Sequence, residues 1–566
     1  MRRFLPALAA ALAPLLVVVG LSWPLVLHLG SWHMVTAWGD SHVWVMDWAA
    51  RHLLQDPGAL LGKTAEAGYP VPRDLRAVGG AALLLYLPLR LVLSPLAAGT
   101  LVHLLVFPVT ALFTYAALGR LSRAGPWTRA ALAAAFALGP TVLSTLGMGE
   151  ISNTQAWVLP AFLLAADACC PLDTGRPLRP LRAGQVALVG LLGGLSSPYY
   201  TLALPLLAGG WALAAVLRRR AWLAGGLVVV ALGLGMLPVG AYYGGGAAGG
   251  TDSLVNPAPR ALQGSPVGPA LPSPPPVATP DALLWARPKA TLSPYEAVHV
   301  SYLGLPLLLA GLLAGRREAG RNLGAALLLT GLLLSLGPWL ALGGRYLDLG
   351  GRPLALPVRL LEAVGYPTRQ GGLYFRYAVV AELGLVVLVA AGLAGRRRAA
   401  LFAWGLLLLQ TGDAVRATMP RWPLQVEPVA DQAALEAMAP PPGSGVMAAD
   451  GAVLELPLQG PTDGLFGQAS VLRALFHRRP TTGLLRDVRL HERGVRPILD
   501  RARRDPAHLA EDLRAAGFRY VLLPRELARF SQPDEASLRR LLGPPGQDGE
   551  LLIWDLGPTS LVVQAP

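Results

Sequence analysis

Lysine is almost missing from these 566 residues: only Lys63 and Lys289 occur, so nearly all of the formal charge of +14 is arginine. Charge of either sign is scarce, at 14% of residues against 53% hydrophobic. A soluble chain carries about a quarter charged residues, so a soluble globular protein of this length is excluded. Cysteine is nearly absent too. Cys169 and Cys170 are adjacent, a spacing unsuited to an ordinary disulfide, and no metal-binding spacing accompanies them. The arginines lie in short clusters between apolar runs rather than along one face, so the basic balance is no nucleic-acid footprint and no nucleic acid is expected as a partner. A P-loop, a Rossmann glycine pattern, a nucleophile elbow, a zinc signature and heptads are all lacking.

What is present is a series of apolar runs near the length that spans a bilayer as a helix, so the class is a mainly α polytopic membrane protein. The first run, 4–29, follows Met1-Arg2-Arg3 and is too long for a signal peptide, so a retained anchor with a cytoplasmic N-terminus is expected. Arginine clusters follow at Arg120/Arg123/Arg129, Arg176/Arg179/Arg182, Arg218–Arg220, Arg316/Arg317/Arg321 and Arg396–Arg398. Positive residues in short loops stay in the cytoplasm, and one out-and-back hairpin fits between successive clusters. Eleven spans are expected, about 4–29, 97–118, 129–147, 155–170, 184–198, 200–217, 221–243, 300–315, 322–342, 377–395 and 399–413. The run 77–93 holds Pro88 and Arg90 and would break this parity, so it reads as an interfacial or re-entrant helix. The expected division is a membrane domain over 1–411 and a small extracytoplasmic α/β domain over 412–566. The membrane domain includes a first outer loop, 31–96, and a flexible Gly/Pro-rich outer loop, 244–299. Strand-like runs at 453–458, 518–523 and 551–556 define the outer domain, and Gly517 stops a helix over 507–516. His477, His491 and His508 are scattered and read as surface residues.

The candidate site begins at 38–57, WGDSHVWVMDWAARHLLQDP. A helix here puts Asp40 and Asp47, seven apart, on nearly one face, beside a stripe of Trp44 and Trp48. Tryptophan favours the membrane–water boundary, so these acids belong at the lip of the bilayer; a solvated connecting helix without chemistry is the bland alternative. Glu150 and Asn153 occupy a short outer turn, Ser196-Ser197-Pro198-Tyr199-Tyr200 forms a second, and Glu296 precedes the span entered at Tyr302-Leu303-Gly304. The loop 343–377 is positive where the charge rule disfavours it, with Arg345, Arg352, Arg359, Arg369 and Arg376 against Asp348 and Glu362. Either its length exempts it, or it binds an anion through guanidinium forks. Arg376, in GLYFRYAVV at the start of a span, is the best anion-binding candidate because an unpaired charge at that depth is expensive.

Taken together the chain resembles the GT-C superfamily, polytopic glycosyltransferases that take sugar from a polyprenyl-phosphate donor on the outer side of the membrane. It is similar to uncharacterised bacterial members in Gly39-Asp40, Asp56-Pro57, Tyr69-Pro70, Ser196–Tyr200, Glu296 before Tyr302-Leu303-Gly304, Phe375-Arg376 and Tyr520–Leu523. Many such relatives have Gly-His where this chain has Gly149-Glu150, and the superfamily's acid pair is matched closely only at Asp40. The resemblance implies an inverting transfer with Asp40 as general base, although Asp47 is as plausible on geometry alone. It implies a bacterial plasma-membrane location and substrate contacts from Glu150, Asn153, Tyr199, Tyr200, Glu296 and Arg376. The implied partners are a polyprenyl-phosphate-linked sugar, membrane lipid, and a glycan, lipid or protein acceptor. No metal site or resident cofactor is expected, but Asp47 and Glu150 could hold a divalent cation or orient the acceptor. The rival reading is a non-enzymatic scaffold that binds a partner through the outer α/β domain. Convergence of Asp40, Glu150 and Arg376 separates the two.

Overall fold

This computed structural model describes residues 4–247, 280–284, 302–312, 319–363, 374–418, 424–441, 451–458, 465–482 and 495–559, apart from 37–38, 62, 65, 68, 71–72, 75–79, 174, 220, 343–344, 351 and 532. The fold is mainly helical. Among the described residues four helices are long and apolar enough to cross a membrane: Pro95–Leu121, Tyr199–Leu217, Trp222–Ala241 and Tyr374–Leu393. Pro126–Ala137 and Pro140–Met148 make a fifth if counted together.

The sequence reading of eleven spans included several segments that are shorter as helices. Val158–Cys169 has 12 residues and Ala183–Ser196 has 14. At about 1.5 Å per residue neither reaches the roughly 30 Å of a bilayer core. Proline and glycine account for the clearest interruption. The run 129–147 breaks at Gly139-Pro140, where proline lacks the N–H that would continue the ladder, and its halves meet at 44°. Within 77–93 the helix is only Leu83–Arg90, eight residues, too short to cross. The helix Ala399–Thr418 runs through position 412, where the sequence reading began the outer domain.

The most enclosed helix, Ala378–Leu393, has every residue buried. It packs against Ala319–Ser335 through Gly324, Gly331 and Gly384, where any side chain would strike the neighbouring backbone. Small residues that let backbones approach are the usual solution between helices in lipid, where apolar burial gives no driving force.

Beyond the helices lies a four-stranded sheet. Ala452–Glu455 runs parallel to Phe518–Pro524, which pairs antiparallel with Leu551–Asp555, and Gln547–Asp548 forms the edge. The helix Leu509–Ala515 feeds the second strand through Gly517, whose φ of 87° suits glycine. Two contacts tie the first loop to this region. Trp32–Met34 pairs with Val426–Pro428. Tyr69 stacks edge-on against Phe518 at 5.2 Å and donates to the Ala516 carbonyl at 3.0 Å. The helix Leu465–His477 also packs on Gly39–Gln55. His477, read from sequence as a surface residue, is instead fully buried. Its Nδ1 accepts the Arg479 N–H, and burial holds the ring neutral. His508 is exposed, and His491 lies outside the described residues.

Candidate active site

The helix Gly39–Gln55 starts at a built N-terminus. The Thr36 hydroxyl accepts the Gly39 N–H at 2.9 Å, and Asp40 sits in the first turn, where the helix dipole favours a negative charge. Its Oδ1 meets His33 Nδ1 at 3.1 Å, and no other hydrogen-bond partner of Asp40 occurs among the described residues. Asp40 is 7% exposed. Burial works against charge on the His33 ring, but the hydrogen bond and charge of Asp40 outweigh it, so the ring titrates above its ordinary 6.5.

The sign of the resulting pH dependence is fixed. A raised folded-state value gives stability that is complete below the ordinary value and lost as pH rises through the raised one. Thermal unfolding of the purified protein should therefore show a wild-type advantage over His33→Gln below the ordinary 6.5 that fades as pH rises through the raised value. A constant gap between the two would contradict this.

Asp47, on the same helix, has a different environment. Tyr86 Oη and Arg90 Nε donate to Oδ1, both at 2.9 Å, and Arg51 Nε donates to Oδ2 at 3.1 Å. Arg51 continues to Glu66, which also meets His52 Nε2 at 2.6 Å. Burial raises Glu66, but His52 and Arg51 outweigh it and hold the carboxyl below its usual range. Both Asp47 oxygens are thus engaged in pinning Leu83–Arg90 to the first helix. Breaking a buried ion pair costs about 3–5 kcal/mol. Arg51 and Arg90 are 28% and 31% exposed, so solvent screening lowers that figure. Asp47→Asn should destabilise the fold by about 2 kcal/mol, read as a lower unfolding temperature, and leave kcat of the surviving protein within a few-fold of wild type.

Two glycines bring Asp40 to the turn that carries Glu150 and Asn153. Gly149 has φ 67°, and a side chain on it would collide with the Gly39 backbone. The Gly149 carbonyl lies 3.0 Å from both His42 Nδ1 and His103 Nε2. The next residue, Glu150, meets Arg376 Nη1 at 2.8 Å and accepts from Ser152 Oγ at 3.2 Å. The Arg376 guanidinium lies 4.7 Å over the Tyr199 ring, and Tyr199 packs edge-on against Tyr377. Asn153 is held from two sides: Tyr200 Oη donates to its carbonyl at 2.6 Å, and Ser197 Oγ lies 2.7 Å from its side-chain Oδ1. A small pocket is lined by Asn153, Tyr199, Tyr200, Phe375 and Arg376, with Thr141, Ser144, Thr145 and Val379 completing it.

Of the sequence-named residues, Glu150, Asn153, Tyr199, Tyr200 and Arg376 thus gather at one place. Asp40 adjoins them through the Gly39–Gly149 contact without lining the pocket. Asp47 stands apart in its own network, while Glu296, Trp38 and Arg369 lie outside the described residues. Arg345 and Arg352 are exposed, and Arg359 stacks on Trp339 at 5.3 Å. Sequence reasoning missed His33 and Glu382. Glu382 had a signal, since it is the single acid inside the apolar run 377–395, and an ionisable group there is functional by default. Among the described residues no three His, Cys, Asp or Glu side chains are grouped to hold a metal ion, and Asp47 and Glu150 each face an arginine that competes with a cation.

The fold is GT-C-like. Arabinofuranosyltransferase AftD from mycobacteria aligns with 99% of this chain at 16% identity and a TM-score of 0.51, and this chain spans 42% of that protein's length. A second AftD structure aligns equally well, at 17% identity over 99% of this chain and 40% of its own. The Archaeoglobus fulgidus oligosaccharyltransferase covers 94% of this chain and 72% of its own at 12% identity, with a TM-score of 0.45. No protein-family model matches the chain, and no curated protein sequence does.

Proposed function

We propose that this chain is a membrane glycosyltransferase that moves a hexosyl or pentosyl group from a polyprenyl-phosphate donor to a glycan, lipid or protein acceptor, with inversion. The observation that carries this reading is the contact of Gly39 with Gly149, which sets the start of the Asp40 helix against the Glu150–Arg376 pair. His33 engages one oxygen of Asp40, and the other takes the proton from the acceptor hydroxyl. As that proton leaves, the acceptor oxygen bonds to the anomeric carbon on the face opposite the phosphate. The bond from the anomeric carbon to the phosphate oxygen breaks, and polyprenyl phosphate departs with the electron pair. Its growing charge is met by Arg376, whose guanidinium lines the pocket beside Glu150. Asp47 is a brace rather than the base, because both of its oxygens are already engaged. The setting is a bacterial plasma membrane with the N-terminus cytoplasmic and the site on the outer side.

The test is transfer by the purified full chain in lipid nanodiscs. Polyprenyl-phosphate donors carrying radiolabelled pentoses and hexoses would be offered with a total envelope lipid and glycan extract as acceptor. A labelled product that depends on Asp40 supports the reading. Absence of product, together with donor binding indifferent to Arg376, would favour the scaffold instead.

A further inference from the structure

Arg345 and Arg352, in the loop that ends near Arg376, have no part in the reaction above. They belong to a short repeat: Leu-Gly-Gly-Arg occurs at 342–345 and again at 349–352. The backbone follows the repeat. Leu347 N–H donates to the Leu340 carbonyl at 2.8 Å, Leu354 N–H to the Leu347 carbonyl at 2.9 Å, and Leu340 N–H to the Leu354 carbonyl at 2.9 Å. These three bonds close a ring that pins the base of both turns. Leu342 is paired with Arg345, and the Leu349 N–H donates to the Arg352 carbonyl at 2.9 Å beside the Asp348–Pro353 bridge. Residues directly opposite in an antiparallel pair share a face, so each turn presents a leucine and an arginine side by side. The inner side is anchored, with Ala341 fully buried and Tyr346 packed on the helical core. The outer side is bare. Leu342 and Leu349 are 44% and 61% exposed, and Arg345 and Arg352 are exposed with no side-chain partner among the described residues.

Depth decides what these turns meet. The repeat follows the helix Ala319–Ser335, which runs antiparallel to Ala378–Leu393: a side chain on Gly324 would strike Leu388, and one on Gly331 would strike Ala381. The same alignment, continued, sets Ser335 level with Tyr377, and Ala319–Ser335 does touch Tyr374–Tyr377. Tyr374 begins an apolar helix long enough to cross a membrane. The repeat therefore starts where that span starts, at the level of the headgroups. There a leucine reaches the acyl boundary while the arginine beside it takes phosphate oxygens. Asp348 lies between the two turns and offsets part of their charge, so recognition falls to the two arginines singly. This placement also accounts for arginines on the side of the membrane where the charge rule disfavours them.

We propose that the two Leu-Gly-Gly-Arg turns are a docking surface for the outer leaflet and that their arginines select anionic phospholipid headgroups.

The experiment places a thiol-reactive bimane at Leu342→Cys or Leu349→Cys in the full chain in nanodiscs. Cys169 and Cys170 are buried, and the unsubstituted chain is the labelling blank. The nanodisc lipid is phosphatidylcholine brominated high in the acyl chain, which quenches only a dye that touches it. Both labels should be quenched, and a label at the exposed Arg540→Cys on the outer helix Glu535–Leu542 should not. Replacing about a third of the lipid by equally brominated phosphatidylglycerol should raise the quenching about twofold. Arg345→Gln with Arg352→Gln should remove that rise, whereas lysine at both positions should keep it. The docking surface is refuted if neither label is quenched. The choice of anionic headgroups is refuted if quenching is equal in the two lipids or if its rise survives the glutamines. Should one cysteine variant fail to fold, the other decides alone.

Discussion

Asp40→Asn should lower transfer to about a thousandth of wild type and leave the donor affinity and the unfolding temperature close to unchanged. The amide keeps the size of the carboxylate and its place in the first turn, but it cannot take a proton from the acceptor. His33 sharpens the test. His33→Gln keeps a donor near Asp40 and should retain most activity, so a loss confined to Asp40 separates a base from a merely placed acid. The measurement is kcat with donor and acceptor saturating. Full activity in Asp40→Asn would remove it from the chemistry.

The second large effect is expected at Arg376. Arg376→Lys keeps the charge and loses the planar fork, so transfer with the lipid donor should fall about a hundredfold, chiefly through weaker donor binding. Arg376→Ala also leaves Glu150 buried beside an empty place, so part of its loss is destabilisation. Pairing it with Glu150→Gln recovers stability without recovering activity. Arg345→Lys and Arg352→Lys, at exposed positions, should behave as wild type. If lysine replaces Arg376 without change in donor dependence, the residue is a headgroup anchor.

Much of this arrangement was legible in the residue order because it depends on local chemistry. The membrane class follows from scarce charge and recurrent apolar runs. Asp40 and Asp47, seven apart, were expected to share one face of the helix and the same site. They diverge because Tyr86 and Arg90, 39 and 43 residues further along, claim Asp47, and no pattern within the helix announces them. His33 was invisible for the same reason: it reaches Asp40 only because Trp32–Met34 is pulled into a strand by Val426–Pro428. Proline and glycine shorten helices that hydropathy alone reads as continuous spans, as at Gly139-Pro140. His477 looked solvated because the group it faces, Glu455 at 3.6 Å on the strand Ala452–Glu455, lies in another element.

The hydrogen bond from Thr141 to Glu382 joins residues 241 positions apart. Translation proceeds at roughly 5–20 residues per second, so the half-helix Pro140–Met148 waits on the order of 12–48 seconds for its partner to be made. During that interval the Thr141 N–H is without its Glu382 acceptor. The half-helix Pro140–Met148 therefore gains this contact only after residue 382 is made: a ribosome stalled before residue 378 should leave Thr141→Cys open to labelling, and extension past residue 393 should close it.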